Sequence, residues 1–208
     1  MGMKWVSFNN LGFLLNHNFG NKNHDGILRA IIGALIGLGV FIYLYGVTTL
    51  NVSYTDWIMI TEGDLQQHYL GWEFFRNEPW AFPLGKIQNW GYPFGTTVAF
   101  TDSIPLLAIF FKLLNPVLPP QFQYIGPWCL LCFMLQGVAA SILIGIHIKD
   151  KLLNALSVVF FVVNPVLTCR VFYNSSLVAQ WLILFALYLF LTPDPEHKRH
   201  RRFWLSLG

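Results

Sequence analysis

The chain has 208 residues, of which 55% are hydrophobic and 11% charged, and its mean hydropathy is +0.51. A soluble domain carries about 25% charged residues, so this chain lacks the polar side chains that a water-facing surface needs. With a net charge of only +3 and basic residues in short clusters, the composition argues against a soluble enzyme, a disordered protein and a nucleic-acid-binding module, and predicts an all-α integral membrane protein.

Four apolar segments are long enough to be considered as membrane spans, which take about 20 residues each. Pro165 is expected to kink the third span or to end it early. The first span contains Gly33 and Gly37 at the spacing that lets two helices approach closely, although the same glycines also suit a span without such a contact. The predicted spans cover residues 30–50, 124–147, 152–169 and 175–192.

A further apolar segment, Ile104–Leu118, would reach only ~22 Å as a helix, against a hydrocarbon core of ~30 Å. The positive-inside rule decides between an interfacial and a spanning placement. If the segment is interfacial, nine of the 13 Lys and Arg residues face the cytoplasm; if it spans, only four do. We therefore predict an interfacial or re-entrant helix on the outer face. The amino tail (1–29) and the basic segment 193–208 then lie in the cytoplasm.

This topology leaves residues 51–123 as one outer loop. Six of the ten acidic residues and twelve aromatic residues lie between positions 51 and 103. Because Trp and Tyr favour the membrane interface, the loop is expected to lie against the bilayer. Residues 64–77 have the pattern of an amphipathic interfacial helix. One face of this helix carries Asp64, Gln67 and His68, and another carries Trp72 and Arg76.

Three residues of this loop, Asp64, His68 and Asp102, are candidates for catalysis. A carboxylate and an imidazole four residues apart on a helix can touch. Each residue also has a plainer interpretation. Asp64 can stabilise the helix dipole, Asp102 can be the N-cap of the second interfacial helix, and His68 can be an interfacial polar group. A chemical role is favoured because all three lie in one loop just outside the first span.

Several motifs follow the first span in order: Gly63-Asp64-Leu65-Gln66-Gln67-His68-Tyr69, then Gly71-Trp72, and later Phe100-Thr101-Asp102-Ser103-Ile104-Pro105-Leu106-Leu107. Over about residues 30–192 the chain resembles an uncharacterised bacterial multi-pass family of the GT-C-like glycosyltransferase superfamily. The resemblance implies a GT-C-like amino-terminal half in the bacterial inner membrane. It also implies transfer of a sugar from a polyprenyl-phosphate donor to an acceptor at the extracytoplasmic face.

The resemblance also implies roles for single residues. Asp64 would be the catalytic carboxylate, acting as general base on the acceptor hydroxyl or steering a divalent metal ion if one is used. His68 would orient the acceptor or Asp64, and Asp102 would be a second acidic ligand or helper. Arg170 would bind the leaving phosphate, or else anchor the third span at the interface. The remaining predicted substrate-binding residues are Lys112, Gln67, Trp72 and Arg76.

Members of this superfamily have more spans, and residues 203–208 are similar to the opening of another one, so we expect the amino-terminal part of a longer enzyme. The alternative is a non-catalytic or truncated multi-pass protein that handles lipid-linked glycans. The expected partners are the lipid bilayer and a polyprenyl-phosphate sugar, and not nucleic acid. Asn174-Ser175-Ser176 matches the N-glycosylation signal, which is expected to be a chance match in a bacterial protein.

Overall fold

The computed structural model of the protein describes residues 9–60 and 63–192. This part of the chain is mostly helical, which confirms the helical class expected from the composition. Three short 3₁₀ helices and one two-stranded sheet complete its secondary structure. The α-helices are α1 (Asn9–Tyr45), α2 (Asp56–Ile60), α3 (Asp64–Asn77), α4 (Pro105–Leu113), α5 (Ile125–Ile144), α6 (Lys151–Val162), α7 (Pro165–Tyr173) and α8 (Trp181–Leu191).

Two helical stretches are long and apolar enough to cross a membrane: His24–Tyr45 of α1 and the whole of α5. Helices α6 and α7 pass the same test together, but they are bent by 41° at the break between them, so they form a third span only if the bent pair counts as one. The apolar stretch Ser175–Leu191 is shorter. The described residues therefore contain two or three candidate spans by length and composition, and the predicted total of four stays a prediction.

The first span differs from its predicted bounds of 30–50 at both ends. Helix α1 is continuous over 37 residues, so the segment predicted as an amino tail is helical from Asn9 onward. The helix ends at Tyr45 because Gly46 has a φ of 74°, a left-handed conformation that glycine adopts at little cost. A 3₁₀ helix, Val47–Leu50, follows. The apolar composition of residues 30–50 gives no sign of this turn.

Helices α1 and α5 pack antiparallel with their backbones close together. A Cβ atom at Gly33 would lie 2.3 Å from the Gly137 carbonyl oxygen, and one at Gly37 would lie 2.2 Å from the Phe133 carbonyl oxygen. Both distances are far shorter than a van der Waals contact, so only glycine fits at these positions. Of the two interpretations of the glycine spacing, the close approach of two helices is confirmed.

The break between α6 and α7 lies at Asn164 and Pro165, where the sequence predicts a kink or an early end. Pro165 occupies the first turn of α7, where its missing N–H costs no hydrogen bond. The Asn164 side chain accepts a hydrogen bond from the Val166 N–H at 2.9 Å and so caps the new helix. The kink is therefore confirmed, and α7 continues beyond the predicted end of the span at residue 169 to Tyr173.

The two ends of the helix assembly differ in charge. At one end the Arg29 guanidinium donates to the Lys149 carbonyl oxygen at 2.6 Å, and Lys151 pairs with Asp25 at 2.8 Å. We call this the basic end. The outer region, residues 51–123, lies at the opposite end, which we call the acidic end. Two segments that the sequence predicts on the cytoplasmic side, the end of the amino tail and the turn at Lys149–Lys151, therefore meet at one end of the molecule, and the predicted outer loop lies at the other. The third predicted cytoplasmic segment, 193–208, lies outside the described residues.

The outer region packs on the acidic end through α3 and α4. Helix α3 covers Asp64–Asn77, as the sequence predicts. The predicted interfacial helix at 104–118 is divided into α4 and a 3₁₀ helix, Asn115–Val117, which has Pro116 in its first turn. Proline cannot donate the hydrogen bond that would continue α4. At the end of the region, the Gln123 side-chain amide donates to the Thr49 carbonyl oxygen at 2.9 Å and ties the region to the 3₁₀ helix that follows α1.

A small sheet lies in a stretch rich in glycine and proline, where no strand is predicted. Strand β1 (Lys86–Ile87) pairs antiparallel with β2 (Thr96–Thr97). Gly85 and Gly95 flank the sheet with φ values of 93° and 73°. Two residues per strand are too few to show an alternating pattern, which is why the sequence gives no strand signal here.

Candidate functional site

A group of polar side chains meets at the acidic end, between α3, the loop before α4 and the end of α7. We call it the polar cluster. The parts on α3 and in the loop before α4 contain predicted site residues, and the part at the end of α7 does not. Its members are Asp64, His68, Asp102, Asn174, Ser175 and Ser176.

His68 is the centre of the polar cluster. It is only 2% exposed. Its Nδ1 lies 3.0 Å from Ser175 Oγ, and its Nε2 lies 3.6 Å from an Asp102 carboxylate oxygen. Burial lowers the pKa of the imidazole, and the carboxylates of Asp102 and Asp64 oppose this effect only in part. A neutral ring can donate one hydrogen bond and accept another, so it suits this position between a hydroxyl and a carboxylate.

Asp102 reaches the cluster from the loop before α4. Its carboxylate accepts a hydrogen bond from Ser176 Oγ at 2.5 Å. Its φ is 54°, and that of Ile104 is 50°, a left-handed conformation that non-glycine residues adopt only where the surrounding structure requires it. The N-cap of α4 is Ile104, with no side-chain cap. The prediction that Asp102 is the N-cap is therefore wrong, because its carboxylate bonds across the cluster instead.

Asp64 is exposed to solvent, and the side chain of Asp102, the other carboxylate of the cluster, is 39% exposed. Asp64 lies in the first turn of α3, where the helix dipole stabilises negative charge. One of its oxygens accepts a hydrogen bond from Asn174 Nδ2 at 3.1 Å. The carboxylate is thus held in place on one side and open to solvent on the other, so a ligand can reach it.

A close backbone approach fixes α3 against the loop that carries Asp102. Ser103 Oγ donates to the His68 carbonyl oxygen at 2.6 Å and lies 2.8 Å from Thr101 Oγ1. A Cβ atom at Gly71 would lie 2.2 Å from Thr101 Oγ1, so glycine is required there. These contacts set the distance between His68 and Asp102.

The sequence analysis missed the third part of the cluster, the triplet Asn174-Ser175-Ser176. The Trp128 indole N–H donates to the Ser175 carbonyl oxygen at 2.9 Å and fixes the triplet against α5. A signal was present, because three consecutive polar residues interrupt an otherwise apolar stretch. The contact with His68 joins residues 107 positions apart, which a local pattern cannot show.

Ser175, His68 and Asp102 have the composition of a catalytic triad, but their arrangement is different. In a triad the serine lies on Nε2 of the histidine and the acid on Nδ1, whereas here Nδ1 faces Ser175 and Nε2 faces Asp102. Ser175 is also 0% exposed, so its hydroxyl cannot reach a substrate. Ser175 therefore anchors the imidazole and is not a nucleophile.

Gln67 and Arg170 lie beside the cluster. The exposed Gln67 side chain donates to the Phe100 carbonyl oxygen at 3.4 Å, next to the loop of Asp102. Arg170 is half-buried, one helical turn before Asn174, whose N–H bonds to the Arg170 carbonyl oxygen at 2.9 Å. Within the part of the chain that the structure describes, no hydrogen bond or ion pair holds the Arg170 guanidinium. Its positive charge is therefore available to an anion.

Trp72 and Arg76, which the sequence analysis assigns to substrate, are buried in the outer region. The Trp72 indole N–H donates to the Phe122 carbonyl oxygen at 2.8 Å. The Arg76 guanidinium donates to the carbonyl oxygens of Pro119 and Pro120 at 2.9 and 3.1 Å. These contacts hold α3 on the segment that leads into α5, so neither side chain is assigned to substrate in the proposal below.

Lys112, another residue predicted to bind substrate, is also buried. Its Nζ donates to the Phe75 carbonyl oxygen at 2.6 Å and lies 3.9 and 4.8 Å from the ring centroids of Phe75 and Trp80. Burial lowers the pKa of the ammonium group, and Glu78 opposes this effect. The cation stabilises the packing of α4 on α3 through cation–π contacts, and the structure does not bring it to the polar cluster.

The residues that would hold a divalent metal ion, if one is used, are Asp64 and Asp102. In residues 9–60 and 63–192 no three His, Cys, Asp or Glu side chains are arranged to hold one. Asp64 and Asp102, the predicted metal ligands, accept hydrogen bonds from an amide and a hydroxyl, and Nε2 of His68 faces Asp102.

The comparison with known protein families gives one match. A family model described as a domain of unknown function (DUF6311) matches residues 34–208. No curated protein and no solved structure matches the chain.

Proposed function

The chain belongs to the DUF6311 family, and we propose that it is a membrane glycosyltransferase of the GT-C type, or the amino-terminal part of one. It transfers a sugar from a polyprenyl-phosphate donor to an acceptor at the extracytoplasmic face of the bacterial inner membrane. The observation that carries the proposal is the exposed carboxylate of Asp64, held by Asn174 beside the buried His68 and the partly exposed Asp102.

The reaction needs a base at the acceptor. The acceptor oxygen forms a bond to C1 of the sugar, the bond from C1 to the phosphate oxygen breaks, and the electron pair leaves with the polyprenyl phosphate. The acceptor hydroxyl loses its proton to Asp64, which can accept it because one side of its carboxylate is open. Asn174 keeps the carboxylate in one orientation, as a general base requires.

The leaving phosphate needs positive charge. Arg170 is half-buried on α7, one helical turn from the asparagine that bonds to Asp64. A guanidinium can donate two parallel hydrogen bonds to a phosphate. An arginine at the edge of a membrane is costly, and such residues are often functional. Arg170 is therefore the residue that we assign to the donor phosphate.

The setting of the cluster supports a substrate that is anchored in the membrane. It lies at the acidic end, beyond the ends of α1 and α7. The outer region exposes several large aromatic side chains, which favour the membrane interface. These are Phe82, Tyr92, Phe94 and Phe100.

The test compares two carboxylates of the outer region. Asp64→Asn removes the proposed base and keeps the size of the side chain, so we expect transfer to fall by about 10²-fold or more. Asp56→Asn is the matched control, because Asp56 is also exposed and lies in the first turn of α2. The measurement is transfer of label to membrane glycan in vesicles that contain the full-length protein and polyprenyl phosphate carrying a radiolabelled hexose.

Equal transfer by the two variants and the wild type would remove Asp64 from the mechanism. If the wild type binds the labelled lipid and transfers no sugar, the result contradicts an enzyme and favours the alternative, a non-catalytic membrane protein that handles lipid-linked glycans.

A further inference from the structure

A second polar site lies at the basic end, far from the polar cluster. A cavity of about 640 Å³ opens between α1, α5 and α8. A cavity of this size is in the range that binds small ligands or a lipid headgroup. Its lining includes Arg29, Lys149, Ser141, Tyr188 and Thr192.

The cavity is lined by more positive than negative charge. Arg29 and Lys149 both line it, and Asp25, the acidic residue of the lining, is paired with Lys151 at 2.8 Å. Counted over these three lining side chains, the net charge is +1.

Arg29 has donor capacity left in this position. Two of its guanidinium nitrogens donate to carbonyl oxygens at the end of α5, at 3.3 Å to Ile148 and 2.6 Å to Lys149. Its Nε is buried and has no hydrogen-bond partner among the described residues. A buried donor without a partner costs about 1–3 kcal/mol, so an acceptor that reaches it would be stabilising.

A tyrosine of the third helix, Tyr188 of α8, lines the same cavity. Within residues 9–60 and 63–192 its hydroxyl makes no hydrogen bond. A guanidinium, an ammonium and a hydroxyl around one opening are the groups that recognise a phosphate.

We propose that this cavity binds the phosphate of an anionic phospholipid headgroup. The ligand class follows from the position of the cavity at the ends of apolar helices, where the phosphates of one membrane leaflet lie, and from the positive charge of its lining. The site is independent of the glycosyltransferase proposal, because it shares no residue with the polar cluster.

The test uses the full-length protein in detergent, titrated with phosphatidylglycerol and, separately, with phosphatidylcholine. Native mass spectrometry counts the bound lipid. We expect phosphatidylglycerol to bind more tightly. Lys149→Gln should weaken it about fivefold, as expected for one cation at a membrane surface. Lys86→Gln removes an equal charge in the outer region and should leave binding unchanged.

A second variant guards against a folding artefact. Tyr188→Phe removes one hydroxyl and no charge, so it should weaken phosphatidylglycerol binding while the thermal unfolding midpoint in detergent alone is unchanged. Equal affinity for the two lipids, or equal binding by the Lys149 and Lys86 variants, would overturn the proposal. If millimolar inorganic phosphate competes for the site as effectively as the lipid does, the site binds free anions. That result would overturn the proposal that its ligand is a lipid.

Discussion

His68 shows how the environment of a single residue of an amphipathic helix can change on folding. On the helix surface it is one polar group among several, and in the structure it is 2% exposed and contacts both Ser175 and Asp102. Because burial lowers the pKa of its imidazole, the folded protein holds the ring neutral at a pH where the unfolded chain has begun to protonate it.

This difference predicts the sign of a pH effect on stability. The unfolded chain takes up the proton near pH 6.5 and the folded protein only at lower pH, so the free energy of unfolding is highest above that pH. It falls as the pH drops from about 6.5 through the lowered pKa of His68, by at most about 1.4 kcal/mol per pH unit for one proton. Thermal unfolding between pH 7.5 and pH 5, values that span the unfolded pKa of about 6.5, measures the effect.

The matched variants for this prediction are His68→Gln and His147→Gln. The first removes the buried ring, so the dependence on pH should become shallower. The second removes an exposed histidine at the other end of α5 and should leave the slope as it is in the wild type. A wild-type slope in the His68 variant would contradict the prediction.

Asp102 and Asn174 have hydrogen-bond partners that the sequence does not predict. The position of Asp102 before Pro105 is typical of a helix N-cap, but two left-handed residues place its carboxylate on Ser176 instead. Asn174 gives no sign of its bond to Asp64, because the two residues are 110 positions apart. Local pattern predicts the residue types of the cluster and not their partners.

At the scale of elements, the packing of α1 on α5 depends on glycine. Gly33→Ala would place a methyl group against the Gly137 carbonyl oxygen, so we expect a destabilisation of about 1–3 kcal/mol through overpacking. The comparison is Gly39→Ala on the same helix, where a Cβ atom meets nothing within 4 Å. That variant should be neutral or more stable by about 0.5–1 kcal/mol, because alanine favours the helix.

Unfolding of both variants in detergent, followed by circular dichroism, measures whether each substitution lowers or raises the free energy of unfolding. Equal effects at the two positions would mean that the helices do not approach as closely at Gly33 as the structure shows. The control shares the substitution and the helix, so helix propensity cannot account for a difference.

Elements whose ends are set by local chemistry were predicted most closely. Helix α3 begins after Gly63 and ends at Asn77, because a glycine, an acidic first turn and Glu78-Pro79 mark its bounds. The break at Pro165 follows from the missing N–H. The end of α1 at Tyr45 was missed, since it depends on the conformation of Gly46 within an apolar run.

At the scale of the whole molecule, the two charged ends predict an orientation. The basic end carries Arg29, Lys149 and Lys151, so the positive-inside rule places it in the cytoplasm and the outer region outside. In a Cys169→Ser background, which removes the exposed cysteine, a membrane-impermeant maleimide should label Ser53→Cys in intact cells.

The control for orientation is His147→Cys, an exposed position at the basic end. It should be labelled only after the membrane is made permeable. The reverse pattern would invert the topology and place the polar cluster on the cytoplasmic side.

The sequence by itself determined the mostly helical class, the presence of apolar stretches long enough to be candidate membrane spans, the sorting of charge along the chain and the bounds of α3. These properties depend on hydrophobic length, charge and local stop signals, which neighbouring residues carry. The tertiary structure decided which polar groups meet. It buried Trp72, Arg76 and Lys112 in the outer region, where backbone carbonyl oxygens and aromatic rings satisfy them, and it brought the end of α7 to α3. Such contacts join residues far apart in the chain, and packing alone selects them.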